Sequence, residues 1–150
     1  MVDSRAKGAR GEYKVRDTLR EATGLLFERV PSSGALSYLK GDLYVPHEDN
    51  IFCIEVKNYE EPILDIKVFT NKSSYFTKFW DKTCSDAALR NQKPLLIFKH
   101  NRSKVYVATE EFPGNTEKYM YISWLNCYVM LLDEWLEEEE IQWLKPSQNT

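Results

Sequence analysis

Two charged side chains stand out in an otherwise apolar segment, residues 51–57. Glu55 and Lys57 are two positions apart, and side chains alternate across a β-strand, so both lie on one face of the predicted strand. The apolar residues at the alternate positions, Phe52, Ile54 and Val56, then face a core. A carboxylate beside an ammonium group offers a metal ligand next to a cation that can orient an attacking water or neutralise a phosphate.

A second carboxylate lies on the preceding predicted strand. Asp42 follows Gly41 and opens residues 42–45, which we expect to form a hairpin with residues 51–57. That pairing brings Asp42 near Glu55. Two carboxylates that converge on one point hold a hard divalent cation such as Mg²⁺. A bound cation activates water and stabilises charge on a scissile phosphate.

A third carboxylate, Glu12, belongs to the first predicted helix. It lies three residues before Val15 and seven before Leu19, which places it on the apolar face of that helix. An acid on a core-facing stripe is costly unless it is paired or bound to a metal. Glu12 is therefore a candidate for the same site.

Each of these residues also has an ordinary structural interpretation. Glu55 and Lys57 could form an exposed cross-strand charge pair. Asp42 could be a turn residue, and Glu12 could pair with Arg16 one helical turn away. The joint occurrence of a helix acid, a strand aspartate and a Glu-x-Lys strand, in this order, favours a shared site.

The predicted elements alternate between helix and strand along the chain, which indicates an α/β sheet flanked by helices. Helical periodicity and the terminal Gly24 predict the first helix, and Asp133 is the expected N-cap of the last one. The full set is a helix at 5–23, strands at 25–30, 42–45 and 51–57, a mostly helical region at 66–91, strands at 94–99 and 104–108, a β-rich region at 119–132 and a helix at 134–144.

Composition restricts the class of protein. The 150 residues fit one domain, and no apolar stretch is long enough to span a membrane. The polar N-terminus lacks a signal-peptide core, so we expect a soluble, intracellular, cytoplasmic protein with no membrane contact. The three cysteines form no CxxC pair, so the sequence predicts neither a disulfide framework nor a zinc cluster. Cys53 and Cys127 are expected to be buried.

The net charge of −3 is unevenly distributed. Residues 67–104 contain nine basic and two acidic residues, whereas residues 133–140 contain six acids and no base. The basic segment is compatible with phosphate binding or with a solvated helix face. Large aromatic residues also cluster, and each is either core or a contact surface between two subunits: Phe76, Phe79, Trp80, Trp135 and Trp143.

Several short blocks together resemble the archaeal-type Holliday junction resolvases, a branch of the PD-(D/E)XK nuclease superfamily. That family has an opening helix of the form KGxxxE, a loop of the form RxPxSG, an aspartate strand and an IEVK strand. The matching blocks here are KGARGE at 7–12, RVPSSG at 29–34, GDL at 41–43, IEVK at 54–57 and PLLIFK at 94–99.

The resemblance implies a restriction-endonuclease-like fold, a mixed β-sheet flanked by helices, with residues 1–150 as a single nuclease domain and an acidic C-terminal helix at about 133–144. It implies a Mg²⁺-dependent endonuclease, with Mn²⁺ as a substitute, that resolves four-way DNA junctions by paired cuts as a homodimer. The implied roles are metal binding by Asp42 and Glu55 with Glu12, catalysis by Lys57, contact with the scissile phosphate region by Arg29 and Ser33, and approach to DNA by Lys7 and Arg10.

Departures from the family bear on substrate preference more than on chemistry. Gly41 stands where the family has proline or valine, Tyr13 stands where arginine is common, and residues beyond about 110 have no match. Two alternatives stay open: another PD-(D/E)XK nuclease of the repair or restriction type, and a non-catalytic DNA-binding protein on the same fold. Preference for a four-way junction over linear duplex would distinguish a resolvase from the first alternative. Metal binding that is lost in Asp42→Asn would distinguish a metal-dependent enzyme from the second.

Overall fold

The computed structural model describes residues 4–31, 39–70 and 74–146, with side chains from residue 8 onward. Its centre is a seven-stranded mixed sheet of strand order β1-β2-β3-β4-β5-β7-β6. The strands are β1 Glu28–Arg29, β2 Leu43–Tyr44, β3 Phe52–Tyr59, β4 Lys93–His100, β5 Tyr106–Thr109, β6 Met120–Ile122 and β7 Cys127–Leu131. The helices are α1 Ser4–Thr23, α2 Tyr75–Leu89 and α3 Leu132–Trp135, with single 3₁₀ turns at Ile66–Phe69 and Ser123–Leu125.

β3 and β4 form the parallel pair of the sheet, and α2 makes the crossover between them. A parallel connection requires such a crossover, whereas the other neighbouring strands pair antiparallel. α1 packs on one face through Val15 and Leu19, and α2 packs on the other through Phe76 and Trp80. The predicted mixed sheet flanked by helices is confirmed.

α1 ends where the sequence predicts. Gly24 has a φ of +75° and donates its amide to the carbonyl of Arg20 at 2.8 Å, which closes the last turn. The β2–β3 hairpin is also confirmed, with Leu43 opposite Ile54. The strand expected at 25–30 is shorter, because only two residues pair with β2.

The region predicted to be mostly helical, residues 66–91, is divided in two. A 3₁₀ turn at Ile66–Phe69 precedes α2, whose N-cap Ser74 accepts a hydrogen bond from the Thr77 amide at 3.1 Å. Serine is favoured at this position because its hydroxyl satisfies a free amide of the first turn.

The long helix predicted at 134–144 is wrong. α3 ends at Trp135 and its N-cap is Leu131 rather than Asp133. Four consecutive glutamates would place like charges near the helix C-terminus, where the helix dipole disfavours them. The chain instead returns to the β2–β3 turn: the Ile51 amide donates to the Trp143 carbonyl at 2.9 Å, and the Lys145 amide donates to the Asp49 carbonyl at 2.8 Å.

Most of the clustered aromatic residues belong to the core. Phe76, Trp80 and Trp135 are buried, and Trp143 packs edge-on against Trp135 at 5.5 Å; Phe79 is half-buried. Burial of Cys53 and Cys127 is confirmed. No helix within the described ranges is both long and apolar enough to cross a membrane.

Candidate active site

The candidate site lies where the pairing of β2 with β3 begins, at Asp42 and Glu55. We call this point the fork. The Asp42 amide donates to the Ile54 carbonyl at 2.6 Å, and Asp42 Oδ2 accepts from the Val56 amide at 2.7 Å. Gly41 has a φ of +90°, and a Cβ on it would lie 2.8 Å from the Ile54 carbonyl oxygen. Glycine therefore allows the main chain to lie against β3 and to place Asp42 beside Glu55.

Glu55 is buried on the face of β3 that α2 covers. Only 5% of the residue is exposed, so the interpretation as an exposed cross-strand pair is wrong. Burial, with the nearby Asp42 charge, raises the pKa of Glu55 to about 8, although Lys82 acts in the opposite direction. The Lys82 Nζ lies 3.5 Å from Glu55 Oε1.

Glu12 reaches the same fork from α1. Arg29 Nε donates to Glu12 Oε2 at 2.7 Å and Arg29 Nη1 donates to the Tyr13 hydroxyl at 3.3 Å. Burial raises the pKa of Glu12, the Asp42 charge adds to that effect, and Arg29 opposes it. The ordinary interpretation pairs Glu12 with Arg16, but the ion-pair partner of Glu12 is Arg29.

Asp42 connects these acids to one another. It interacts with Glu12 on one side and with Glu55 on the other. Glu55 in turn shares a side-chain hydrogen bond with Asp86 of α2. The result is a row of four carboxylates that runs from α1 across β2 and β3 to α2.

Lys82 and Asp86 also lie at the candidate site, although no sequence motif includes them. Lys82 Nζ lies 2.8 Å from Asp86 Oδ2, an i, i+4 pair on α2. Burial opposes ionisation of Asp86, but its hydrogen bonds with Lys82 and Glu55 hold its pKa below the ordinary value. One signal was present in the sequence: Asp86 is one of only two acids in the basic segment 67–104.

Lys57 shares the face of Glu55, as the alternation of β3 predicts. Its Nζ lies 4.9 Å from the centroid of the Phe79 ring of α2. A cation over an aromatic face is attracted by the ring quadrupole. The ammonium group is therefore held on the α2 side of the sheet, two residues along the strand from Glu55.

The other residues predicted to approach DNA are less informative. Ser33 lies outside the described residues, and the side chain of Lys7 does too. Arg10 is exposed on α1, and the guanidinium of Arg29 contacts Glu12 and Tyr13. Contact of these four residues with DNA stays a prediction.

The carboxylate oxygens of the acids at the fork are suitable ligands for a hard divalent cation. Within the part of the chain that the structure describes, no three acidic, histidine or cysteine side chains already surround one point as they do around a bound metal. Arg29 and Lys82 instead neutralise Glu12 and Glu55, the two acids on either side of Asp42. Oxygen ligands are those that Mg²⁺ prefers, and a cation among these acids would offset the repulsion from Asp42 that both glutamates experience.

Comparisons with known proteins agree with this chemistry. The family described as "Phage putative PDDEXK endonuclease" matches residues 3–144, including the segment beyond about residue 110 that matches none of the resolvase blocks. "Protein D14" of Escherichia phage T5 is 35% identical over 154 residues, which cover 94% of this chain and 96% of that protein.

A solved structure is also similar: Hjc, a Holliday junction resolvase from the archaeal hyperthermophile Archaeoglobus fulgidus. It has 17% sequence identity and a TM-score of 0.46, over 85% of this chain and 91% of that one. The family match and the sheet order confirm the restriction-endonuclease-like α/β fold. The chain belongs to this family of phage PDDEXK endonucleases and is a nuclease of the PD-(D/E)XK superfamily.

Proposed function

We propose that this protein is a Mg²⁺-dependent endonuclease that cuts DNA at four-way junctions. The observation that carries the proposal is the fork of β2 and β3, where Asp42 lies between Glu12 and Glu55. A DNA nuclease is what the family indicates. Specificity for four-way junctions is the more detailed part of the proposal. It rests on the resemblance of the KGARGE, RVPSSG and IEVK blocks to junction resolvases.

Each residue of the fork has a distinct role in this proposal. Asp42 and Glu55 hold the cation, and Glu12 completes the set when it turns from Arg29. When bound, Mg²⁺, or Mn²⁺ in its place, lowers the pKa of a water molecule and stabilises charge on the phosphate. Lys57 orients the attacking water and neutralises the phosphate, because its ammonium lies on the face of β3 that carries Glu55.

Resolution of a junction requires two opposed cuts, and one site of this kind cuts one strand. A two-fold homodimer with an isologous interface holds two such sites at a fixed separation. We therefore include a homodimer in the proposal.

The substrate is tested with a labelled four-way junction and a linear duplex of the same sequence. Each is incubated with EDTA, Mg²⁺ or Mn²⁺. Cleavage of the junction in preference to the duplex, and only with metal, is expected. Equal cleavage of both would favour a repair or restriction-type enzyme. Absence of cleavage with every metal, together with calorimetric metal binding that Asp42→Asn does not change, would favour a non-catalytic DNA-binding protein.

The homodimer is tested by light scattering at micromolar protein and by cleavage of a supercoiled cruciform plasmid. A dimer converts the plasmid directly to linear DNA. A monomer that only nicks the plasmid would refute paired resolution and leave the nuclease assignment in place.

A further inference from the structure

Three aromatic rings form a continuous group next to the candidate site. Tyr59 follows Glu55 and Lys57 on the same face of β3, and Tyr75 and Phe79 lie one turn apart on α2. The centroid of the Tyr59 ring lies 5.2 Å from that of Phe79 and 5.5 Å from that of Tyr75. The rings of Tyr75 and Phe79 are nearly parallel, at 15° and 6.0 Å. We call Tyr59, Tyr75 and Phe79 the aromatic platform.

The aromatic platform adjoins the face of β3 that carries Glu55 and Lys57. Lys57 Nζ lies over the Phe79 ring at 4.9 Å, and Lys82, one turn further along α2, reaches Glu55 at 3.5 Å. α2 and β3 thus run in opposite directions, with the aromatic end of the helix over Tyr59. Four residues along a strand span about 13 Å, which is the separation of Tyr59 from Glu55 along β3.

Packing accounts for two of the three rings but not for the third. Tyr59 and Phe79 are half-buried and pack against the core beneath α2. Tyr75 is 51% exposed, and its aromatic contacts among the described residues are with the two other rings. An exposed aromatic ring stacked on a second ring beside a cation is a surface on which a nucleobase stacks well.

We propose that the aromatic platform stacks against a base of the DNA substrate that is unstacked at the branch point, two to four nucleotides from the scissile phosphate. This proposal rests on the proposed function, since it requires that DNA lies along the face of β3. Stacked nucleotides rise about 3.4 Å along a strand, and unstacked ones extend further, so 13 Å corresponds to a few nucleotides. Bases in a continuous duplex are already stacked on both sides, so the platform selects DNA in which a base is unstacked on one side, as next to the open centre of a junction.

The experiment combines removal of the ring with removal of the base. Four-way junctions are prepared in which one nucleotide, at positions one to five from the cut, carries an abasic tetrahydrofuran. Binding by wild type, Tyr75→Ala and Tyr75→Trp is measured by fluorescence anisotropy in EDTA, where no cleavage is expected. Tyr121→Ala is the matched control, because Tyr121 is 47% exposed on β6, the edge strand that lies farther from β3.

At one position, loss of the base should weaken wild-type binding by about 5- to 100-fold, which is the usual effect of one base–aromatic stack. Tyr75→Ala should bind the intact junction more weakly by a similar factor and lose nothing further on the abasic one. Tyr75→Trp keeps a ring and should behave as wild type, and it also serves if Tyr75→Ala does not fold. Tyr121→Ala should bind every substrate as wild type does.

Two results would overturn the platform. The first is that no abasic position weakens wild-type binding. The second is that the effects of Tyr75→Ala and of the missing base simply multiply, because independent losses show that ring and base do not touch. If the junction is cleaved in Mg²⁺ while either result holds, only the platform is rejected. If the wild-type protein neither binds nor cleaves the junction, the proposed function is rejected together with the platform.

Discussion

The carboxylate of Asp42 accepts a hydrogen bond of 2.7 Å from the main-chain amide of Val56, the residue that follows Glu55. A main-chain donor on β3 therefore fixes the position of Asp42. Asparagine also has an acceptor oxygen, so it can make the same bond. This allows the charge of Asp42 to be removed without loss of its position.

We predict that Asp42→Asn abolishes cleavage and preserves binding to a junction. Loss of a partner that merely orients a metal ligand costs about 10- to 100-fold in activity, and loss of a ligand should cost more. Glu55→Gln should behave in the same way. Cleavage rate, junction affinity and calorimetric Mg²⁺ affinity are measured together, with the surface variant Asp17→Asn as control. Substantial activity in Asp42→Asn or Glu55→Gln would reject the ligand assignment.

Lys57→Ala should lower kcat by roughly 100- to 1,000-fold, as removal of one charge-stabilising donor does. The melting temperature should change little, because the ammonium contacts the face of Phe79 at a half-buried position. Lys104→Ala, an exposed lysine away from the fork, is the control. If Lys57→Ala cuts DNA at the normal rate, the Glu-x-Lys spacing is structural rather than catalytic.

The metal-free protein should lose stability as the pH rises from about 4.5 to 8. The pKa of Glu55 is raised from 4.5 to about 8 in the folded state, so between these values the folded protein binds more protons than the unfolded chain. Each pKa unit corresponds to about 1.4 kcal/mol, which makes an effect on the order of a few kcal/mol.

Urea unfolding in EDTA at pH 5 and pH 8 measures this change for wild type and for Glu55→Gln. The variant should show the smaller decrease, and at pH 8 added Mg²⁺ should stabilise wild type more than the variant. Parallel decreases in the two proteins would contradict the assignment of the pH dependence to Glu55.

Gly41→Ala should destabilise the protein by about 1–3 kcal/mol, the usual cost of a residue held in an unfavourable backbone conformation. The added Cβ would meet the Ile54 carbonyl oxygen at 2.8 Å, and the backbone has a φ of +90°. Because any relief moves Asp42, we expect activity to fall even where the variant is fully folded.

Gly8→Ala is the matched control for that substitution. A Cβ on Gly8 meets nothing within 4 Å, and alanine is preferred over glycine by up to about 1 kcal/mol inside a helix. Chemical denaturation measures the stability of both variants, and cleavage assays measure their activity. Equal stability of Gly41→Ala and wild type would mean that the fork tolerates a side chain at this position.

The parts of the site that follow from local periodicity could be predicted from the sequence. Alternation along β3 correctly puts Glu55 and Lys57 on one face, and the helical spacing of Glu12 to Val15 correctly directs Glu12 toward the sheet. The contribution of Lys82 could not be predicted, since it depends on where the crossover helix lies over β3. That position results from packing of Phe76 and Trp80 rather than from any motif.

The C-terminal segment shows why tertiary contacts override local preference. Residues 136–140 are one leucine followed by four glutamates, and both residue types are good helix formers. Trp143, however, packs edge-on against Phe27 and Phe52, each at 5.3 Å. A straight helix from 134 to 144 would not return the chain to these rings.

The pairing of residues 143–145 with residues 49–51 also affects how the molecule folds during synthesis. The turn that leads into β3 acquires its partner only after more than 90 further residues have been made. Contacts between such distant positions form late and slow the folding of a domain. During synthesis, the turn that leads into β3 therefore lacks this pairing until residue 145 has left the ribosome. Full activity should arise only after residues 143–145 have paired with residues 49–51.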